Sequence, residues 1–302
     1  MRTLLPIVAV TTALIWGGLT LVSAENVRFR FLAAVSGDTA GPGLHLPEGV
    51  ACGPGGLVIV ADPGNDRLVR FTFEGRAGKA WAPVTKGELT APTQVQLDPA
   101  GRIYALDGRR RRVVRLSADG QFLGALTVTG VPPPSTIVVK AFQIGGDGRV
   151  YLLDVLSARV LVLDGDGRFQ KALPLPADAR FVGDIAVDDL GSVLALDSIG
   201  RRLYVARRDA TAFSPLGPDI SGALVSMPTS LAADRGLILV VEGGAGSIAS
   251  IGQDGAFVGR QLVSGWREGA LNHPARVCVN DRDEAWVADR DNSRLQVFTL
   301  GR

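Results

Sequence analysis

The sequence is poor in the residues that most often build metal sites and nucleophilic sites. Its 302 residues include two cysteines and two histidines, and aromatic residues make up only 6%. Two cysteines exclude a disulfide-rich scaffold and a zinc cluster held by cysteine alone. Two histidines leave little room for a histidine-based metal site or a Ser-His-Asp triad. This scarcity favours a binding protein over an enzyme.

An excess of either charge is also missing, because 32 Lys and Arg residues stand against 30 Asp and Glu residues. A chain with so little net charge is not a polyanion binder as a whole, so we expect no nucleic acid partner. The 46% of hydrophobic residues excludes a disordered chain. The length fits either two average domains or one large domain.

The first 24 residues differ in character from the rest of the chain. Arg2 is the only charge before Glu25, and the almost wholly apolar stretch between them closes on Val-Ser-Ala at Ala24. This order predicts a secretory signal peptide over residues 1–24, with a retained membrane anchor as the less favoured alternative. We therefore expect a periplasmic or secreted protein that has no membrane span after signal removal.

One pattern then recurs six times. Each copy has a short apolar stretch, a turn rich in Gly or Asp, a second apolar stretch that ends on an acid, and a polar turn before a third stretch. The acids that end the second stretch follow one another at intervals of 43–47 residues. These marker acids are Asp62, Asp107, Asp154, Asp197, Glu242 and Asp289. Such a period indicates one repeat architecture rather than two unlike domains.

The apolar stretches are short, rich in β-branched residues and bounded by turn residues, which indicates strands. No sustained helical period is present. Six four-stranded units at this spacing predict an all-β, six-bladed β-propeller that forms a single domain over residues 25–302. The sixth copy ends after its third strand, so we predict that residues 27–35 supply the fourth by pairing with residues 294–300.

Two segments resemble a known family. The segment HPARVCVNDRDEAWVADRDNSRLQVF, which ends at Phe298, resembles an NHL repeat, and PEGVACGPGGLVIVADPGNDRLVRF, which ends at Phe71, does so nearly as closely. Copies three to five have drifted, since Val139 and Val182 replace the leading proline and GGAGS follows Glu242. The resemblance implies a closed six-bladed NHL-repeat propeller. Propellers of this kind serve as binding modules, lyases and lactonases.

The marker acids and the arginines that follow them have two interpretations. A carboxylate at a strand end accepts hydrogen bonds from turn N–H groups, and we favour this role over a metal-binding ring. Five positions after the marker acids stand Arg67, Arg112, Arg159, Arg202, Ser247 and Arg294. We favour pairing of these arginines with turn carboxylates over an anion-binding rim. For Arg109, Arg110 and Arg111, which the repeat does not require, a basic rim is an equally open interpretation.

A polar residue enters the innermost strand of each copy, at the end that lines the mouth of a propeller's channel. These residues are Glu48, Gln94, Lys140, Asp184, Ser230 and Arg276. All of them except Ser230 are our candidate ligand-binding residues, because such concave mouths bind small polar molecules. Ordinary solvation of the mouth would account for the same set.

His45 and His273 enter the inner strands of the first and sixth copies, which ring closure makes neighbours. With Glu48 or Asp184 as a third ligand they form a weak alternative metal site. A histidine before this proline is also common in the repeat itself. We therefore predict no metal and no other cofactor.

Cys52 and Cys278 lie on the inner strands of the same two copies and could pair in an oxidising compartment. However, aligning the copies places Cys278 opposite Ala51, so the two thiols could point to different faces. The sequence leaves this disulfide open.

These features favour an exported, monomeric, non-catalytic propeller that presents a rigid face to a protein partner or a small polar ligand. The alternative is a metal-dependent lyase or lactonase whose site lies at the channel mouth, near His45, His273, Glu48 and Asp184.

Overall fold

The computed structural model describes residues 27–37, 42–74, 77–80, 88–224, 226 and 228–301. The predicted signal peptide lies outside the described residues. In the part of the chain that is described, no helix is both long and apolar enough to cross a bilayer. The helical turns found there are short 3-10 segments at Pro54–Gly56, Pro63–Asn65, Gly243–Ala245 and Arg290–Asn292.

The described strands form six antiparallel sheets of four strands each, which are the blades. Strand β1 (Arg28–Val35) precedes the first blade in the chain. From the inner to the outer strand, blade 1 contains β2 (Gly49–Cys52), β3 (Leu57–Asp62), β4 (Arg67–Glu74) and β5 (Ala77–Ala80). Blade 2 contains β6 (Pro92–Leu97), β7 (Ile103–Asp107), β8 (Arg112–Leu116) and β9 (Phe122–Ala125). Blade 3 contains β10 (Val139–Ile144), β11 (Val150–Asp154), β12 (Arg159–Leu163) and β13 (Phe169–Pro174).

The second half of the ring repeats this arrangement. Blade 4 contains β14 (Val182–Val187), β15 (Val193–Asp197), β16 (Arg202–Ala206) and β17 (Ser214–Pro215). Blade 5 contains β18 (Ser230–Asp234), β19 (Leu237–Glu242), β20 (Ser247–Gly252) and β21 (Phe257–Gln261). Blade 6 contains β22 (Val277–Val279), β23 (Glu284–Asp289) and β24 (Arg294–Gly301), with β1 as its outer strand. The inner strands contact one another in the order β2, β6, β10, β14, β18, β22 and back to β2, so the ring is closed.

The two ends of the described chain meet in blade 6. Strand β1 pairs antiparallel with β24, so that Arg28 lies opposite Gly301 and Val35 opposite Leu295. The rings of Phe29 and Phe31 each meet the ring of Phe298 edge-on, with centroids 6.0 Å apart. The predicted closure of the last blade by residues 27–35 is confirmed.

The hydrophobic core is divided into clusters that lie between consecutive blades. Each cluster takes side chains from one face of one blade and the opposite face of the next, as Phe71 and Trp286 show between blades 1 and 6. Both of these side chains are fully buried. Because the middle strands are covered on both faces, they are continuous apolar runs rather than alternating ones. This packing explains the apolar runs that the sequence repeats.

Cys52 and Cys278 form a disulfide that joins β2 to β22, with their Cα atoms 5.7 Å apart. The objection drawn from aligning the copies is wrong, because neighbouring blades meet through opposite faces. A residue of one blade therefore faces a residue whose aligned position in the neighbouring blade lies one place away. Cys52 shares the face of Val50, Ala51 faces the other way, and Cys278 packs in the same cluster as Val50.

The marker acids are all buried and act as acceptors within their blades. Asp62 is typical, since its Oδ1 accepts the His45 N–H at 2.7 Å and its Oδ2 accepts Arg67 Nε at 2.7 Å and Asn65 Nδ2 at 2.8 Å. Asp197 instead accepts backbone N–H groups from both the entry loop, at Phe181, and its own turn, at Gly200. The predicted structural role of these carboxylates is confirmed.

The arginines that follow the marker acids pair with them in most blades. The Nε-to-carboxylate distances are 2.7 Å for Arg67, 3.1 Å for Arg159, 2.7 Å for Arg294 and a looser 3.8 Å for Arg112. The prediction is confirmed for these blades.

Blades 4 and 5 depart from the pattern. Arg202 turns to the surface and lies 3.3 Å from Asp219. Both oxygens of Asp197 already accept backbone N–H groups, Oδ1 from Phe181 and Oδ2 from Arg180 at 2.8 Å. In blade 5 the hydroxyl of Ser247 donates to Glu242 at 3.0 Å, and Arg260 on the outer strand supplies the guanidinium at 2.6 Å. The longer acid and an arginine from another strand thus rebuild the ion pair, although the Arg260 side chain is 26% exposed.

Removing the disulfide should destabilise the ring. In the double variant Cys52→Ala/Cys278→Ala we expect the free energy of unfolding to fall by about 2–4 kcal/mol, because the unfolded chain is no longer restrained across a large loop. Urea unfolding with and without reductant measures the change. Reductant should shift the midpoint of the parent protein and leave that of the variant unchanged. Equal midpoints for parent and variant without reductant would contradict this prediction.

Removing a marker acid should lower the free energy of unfolding more than removing a surface acid. Asp154→Ala leaves Arg159, whose side chain is 11% exposed, without its carboxylate. We expect a loss of about 3–5 kcal/mol in the free energy of unfolding, measured by urea denaturation. The control is Asp178→Ala, which removes a 61% exposed side chain 3.8 Å from Arg202 and should leave the midpoint nearly unchanged. Similar losses in both variants would show that the buried pair has no special role.

Candidate functional site

The mouth of the channel is built where the inner strands begin. Strands β6, β10 and β14 each start with a register shift, which leaves Thr93, Lys140 and Gly183 as extra residues in β-bulges. A bulge turns its extra residue away from the ladder. All three of these residues line the same cavity. The bulges therefore explain how residues of buried strands reach an open site.

This cavity, hereafter the mouth cavity, has a volume of about 700 Å³. Such a volume suits a small organic ligand. The predicted residues that line it are Glu48, Gln94, Lys140, Ser230 and Arg276. Asp184 is not in the wall, because it is fully buried beneath it. The structure thus brings together most of the polar set that the sequence placed at the mouth.

Several of these polar residues join one blade to the next. The Gln94 amide donates to the carbonyl of Phe142 at 2.6 Å and accepts its N–H at 3.1 Å. The Ser230 hydroxyl donates to the Ala275 carbonyl at 2.7 Å, and Asp184 accepts the Leu231 N–H at 3.0 Å. Gln94, Asp184 and Ser230 therefore stabilise the ring. Their hydrogen-bonding groups are largely committed to that role.

Asp184 and Arg276 form an ion pair at the floor of the mouth cavity. Two guanidinium nitrogens of Arg276 lie 2.9 and 3.0 Å from the two carboxylate oxygens of Asp184. Arg276 belongs to blade 6 and Asp184 to blade 4, so the pair reaches past blade 5. Arg276 also lines a second cavity of about 210 Å³, deeper in the channel, whose wall includes Cys52 and Cys278. The ion pair therefore lies between an outer and an inner chamber.

Two further charged residues of the wall, Arg111 and Arg290, were not assigned to the mouth from the sequence. His273 also lines the wall, where the metal alternative had placed it. Arg290 directly follows a marker acid, and the equivalent residues Gly108 and Gly243 line the cavity as well. The position directly after the marker acid could thus have been assigned to the mouth from the sequence, because it recurs in every copy of the repeat.

The three arginines of the predicted basic rim have different surroundings. Arg110 donates to the marker acid Asp107 at 2.9 Å and to Thr90 at 2.7 Å. Arg109 is exposed and is not among the residues of the cavity wall. Arg111 alone of the three lines the mouth cavity. The candidate rim and the candidate mouth therefore meet at Arg111.

The two histidines do not share the mouth. His273 lines the cavity, and its Nδ1 lies 3.0 Å from Asp291. His45 is not in the wall, and its Nδ1 lies 3.3 Å from the Gly64 carbonyl oxygen. Among the described residues, no group of three or more His, Cys, Asp or Glu side chains is arranged to hold a metal ion.

The donor set of the mouth does not fit a divalent cation. Glu48 lies 3.2 Å from Arg290, and Asp184 is held by Arg276. The two carboxylates that the metal alternative offers as a third ligand are thus already paired with arginine. A divalent cation would have to displace these guanidinium groups in a site that arginine and lysine surround.

Comparison with known proteins supports the fold. Residues 271–298 match the family model of the NHL repeat. No curated protein sequence is significantly similar to the chain.

Three solved structures illustrate the structural similarity. Virginiamycin B lyase from Staphylococcus aureus has a TM-score of 0.63 and 14% identity, covering 91% of this chain and 100% of that one. A gluconolactonase from Xanthomonas campestris has a TM-score of 0.64 and 14% identity, covering 94% and 93%. A PQQ-bound aldose sugar dehydrogenase from Streptomyces coelicolor has a TM-score of 0.61 and 15% identity, covering 92% and 99%.

At such identities the similarity shows the fold and does not choose between enzyme and binding protein. The repeats, the closed ring and the match at residues 271–298 lead to one conclusion. The protein is a six-bladed β-propeller whose last blade carries an NHL repeat.

Proposed function

We propose that this propeller is an exported, monomeric, non-catalytic protein that binds a small polar ligand at its channel mouth. The mouth cavity of about 700 Å³ is the observation that carries the proposal. The cavity is concave and lined by charged and polar side chains. This shape suits a small-molecule ligand better than a protein partner, which would need a flatter and more apolar surface. The hydrogen bonds between blades hold its walls in place, so the site is preformed.

Export is supported by two independent features. The N-terminal sequence, with Arg2 before a long apolar stretch, is typical of a secretory signal. The second feature is the Cys52–Cys278 disulfide. Disulfides persist in oxidising compartments and are rare in cytosolic proteins. Both features favour the periplasm or the extracellular space.

A metal-dependent lyase or lactonase is the second candidate, because a virginiamycin B lyase and a gluconolactonase share the fold. His273 is the wall residue best suited to such chemistry. Stoichiometric divalent metal in the purified protein, lost in His273→Ala, would favour the enzyme. We expect no such metal by elemental analysis, because arginines hold the mouth carboxylates.

Ligand binding at the mouth can be tested by filling the cavity. Gly244 lies in the wall, and a Cβ there would lie 3.5 Å from Ser226, an ordinary contact. We expect Gly244→Trp to abolish the amide shifts that a panel of sugars, sugar acids and amino acids induces around the mouth in NMR spectra. The control is Gly146→Trp in an exposed turn, where a Cβ meets nothing within 4 Å.

The control variant should keep the ligand-induced shifts of the parent protein. If no compound of the panel shifts the amides of the mouth in the parent protein, the proposed function is wrong. Shifts that persist in Gly244→Trp would place the binding site elsewhere.

A further inference from the structure

The charges of the mouth cavity do not cancel. Its wall contains Arg111, Lys140, Arg276 and Arg290, but Glu48 is the only carboxylate among its described lining residues. The charge of Arg276 is offset from beneath by Asp184. That of Arg290 is offset by Glu48 at 3.2 Å and by Asp291 at 2.7 Å.

Arg111 and Lys140 remain without a counter-charge within the described part of the chain. Neither side chain has a hydrogen-bond or ion-pair partner among the described residues. Both side chains are exposed to solvent at the mouth. The mouth therefore carries two cationic groups whose side chains pair with no other residue that the structure describes.

The backbone directs both groups to the same end of neighbouring blades. Arg111 has a φ of 53° and donates its N–H to the carbonyl of Asp107 at 2.8 Å, so a left-handed turn residue carries the guanidinium. Lys140 is the extra residue of the bulge in β10, beside Val139, which pairs with Asp154. Blades 2 and 3 are adjacent, and both residues lie at the marker-acid end. The turn and the bulge of the fold therefore determine where Arg111 and Lys140 lie.

We propose that the mouth cavity selects small organic anions, with Arg111 and Lys140 binding the anionic oxygen atoms of the ligand. This inference rests on the proposed function and adds the class of ligand. Charge-assisted hydrogen bonds to anionic oxygens are about twice as strong as neutral ones, and a recessed site strengthens them further. A nucleic acid strand is disfavoured, because no Phe, Tyr or Trp side chain is among the described residues that line the cavity for base stacking.

The test uses probes that share a sugar ring and differ in charge. D-glucuronate, D-glucuronamide and D-glucosamine are the anionic, neutral and cationic probes, and glucose 6-phosphate distinguishes a phosphate from a carboxylate. We expect amide shifts at the mouth, measured by NMR titration, to saturate at the lowest concentration for an anionic probe. Added salt should weaken that binding.

Variants at the two cations connect this preference to the structure. Lys140→Ala and Arg111→Ala should each weaken binding of the preferred anion by roughly tenfold or more. Lys140→Arg keeps the charge and should retain binding. The matched control is Arg168→Ala, which removes one exposed positive charge in the turn after β12, at the opposite end of the blades. It should leave the affinity unchanged.

Each outcome separates this inference from the proposed function. If glucuronamide or glucosamine binds the mouth as tightly as the anions, the anion preference is wrong while ligand binding at the mouth stands. Equal losses of affinity in Lys140→Ala and Arg168→Ala would also overturn the inference, because only net charge would then matter. If no probe shifts the mouth amides, the inference is wrong, and the Gly244→Trp experiment with the wider panel decides the proposed function.

Discussion

The pairing of β1 with β24 is the contact on which the whole ring depends. Every blade has two apolar faces, and a ring covers both faces of each blade only when its last blade meets its first. Blade 6 is complete only when residues from the start of the described chain supply its outer strand. The Cys52–Cys278 disulfide joins the inner strands of blades 6 and 1. The closure of the ring is thus secured at both its outer and its inner radius.

The same demand for a rigid ring determines which polar residues remain for a ligand. Gln94 and Ser230 line the mouth and bond to neighbouring blades. Asp184, buried beneath the wall, also bonds to the next blade and neutralises Arg276. Groups that are committed in this way stabilise the walls and contribute little to selectivity. In the proposed ligand site, recognition therefore falls to side chains that hold no other partner among the described residues, of which Arg111 and Lys140 are the clearest.

Much of the fold and part of the site could be predicted from the sequence. The marker acids, the six blades and the closing strand at residues 27–35 are local or periodic requirements, so each leaves a visible pattern. The turn of Arg202 to the surface left no such pattern, because it depends on which backbone N–H groups reach Asp197. The pairing of Cys52 with Cys278 was harder still to predict, because an alignment of the copies does not show that neighbouring blades meet through opposite faces.

Periodic chemistry alone specifies the architecture, because every blade needs the same turns, the same buried acid and the same apolar strands. Only the tertiary structure decides which charges cancel. Arg276 meets Asp184 across 92 residues of sequence, and Cys52 meets Cys278 across 226. Arg111 and Lys140 find no such partner in the described chain. The reason is physical: pairing between distant residues depends on how the blades are placed around the channel, which no single repeat encodes.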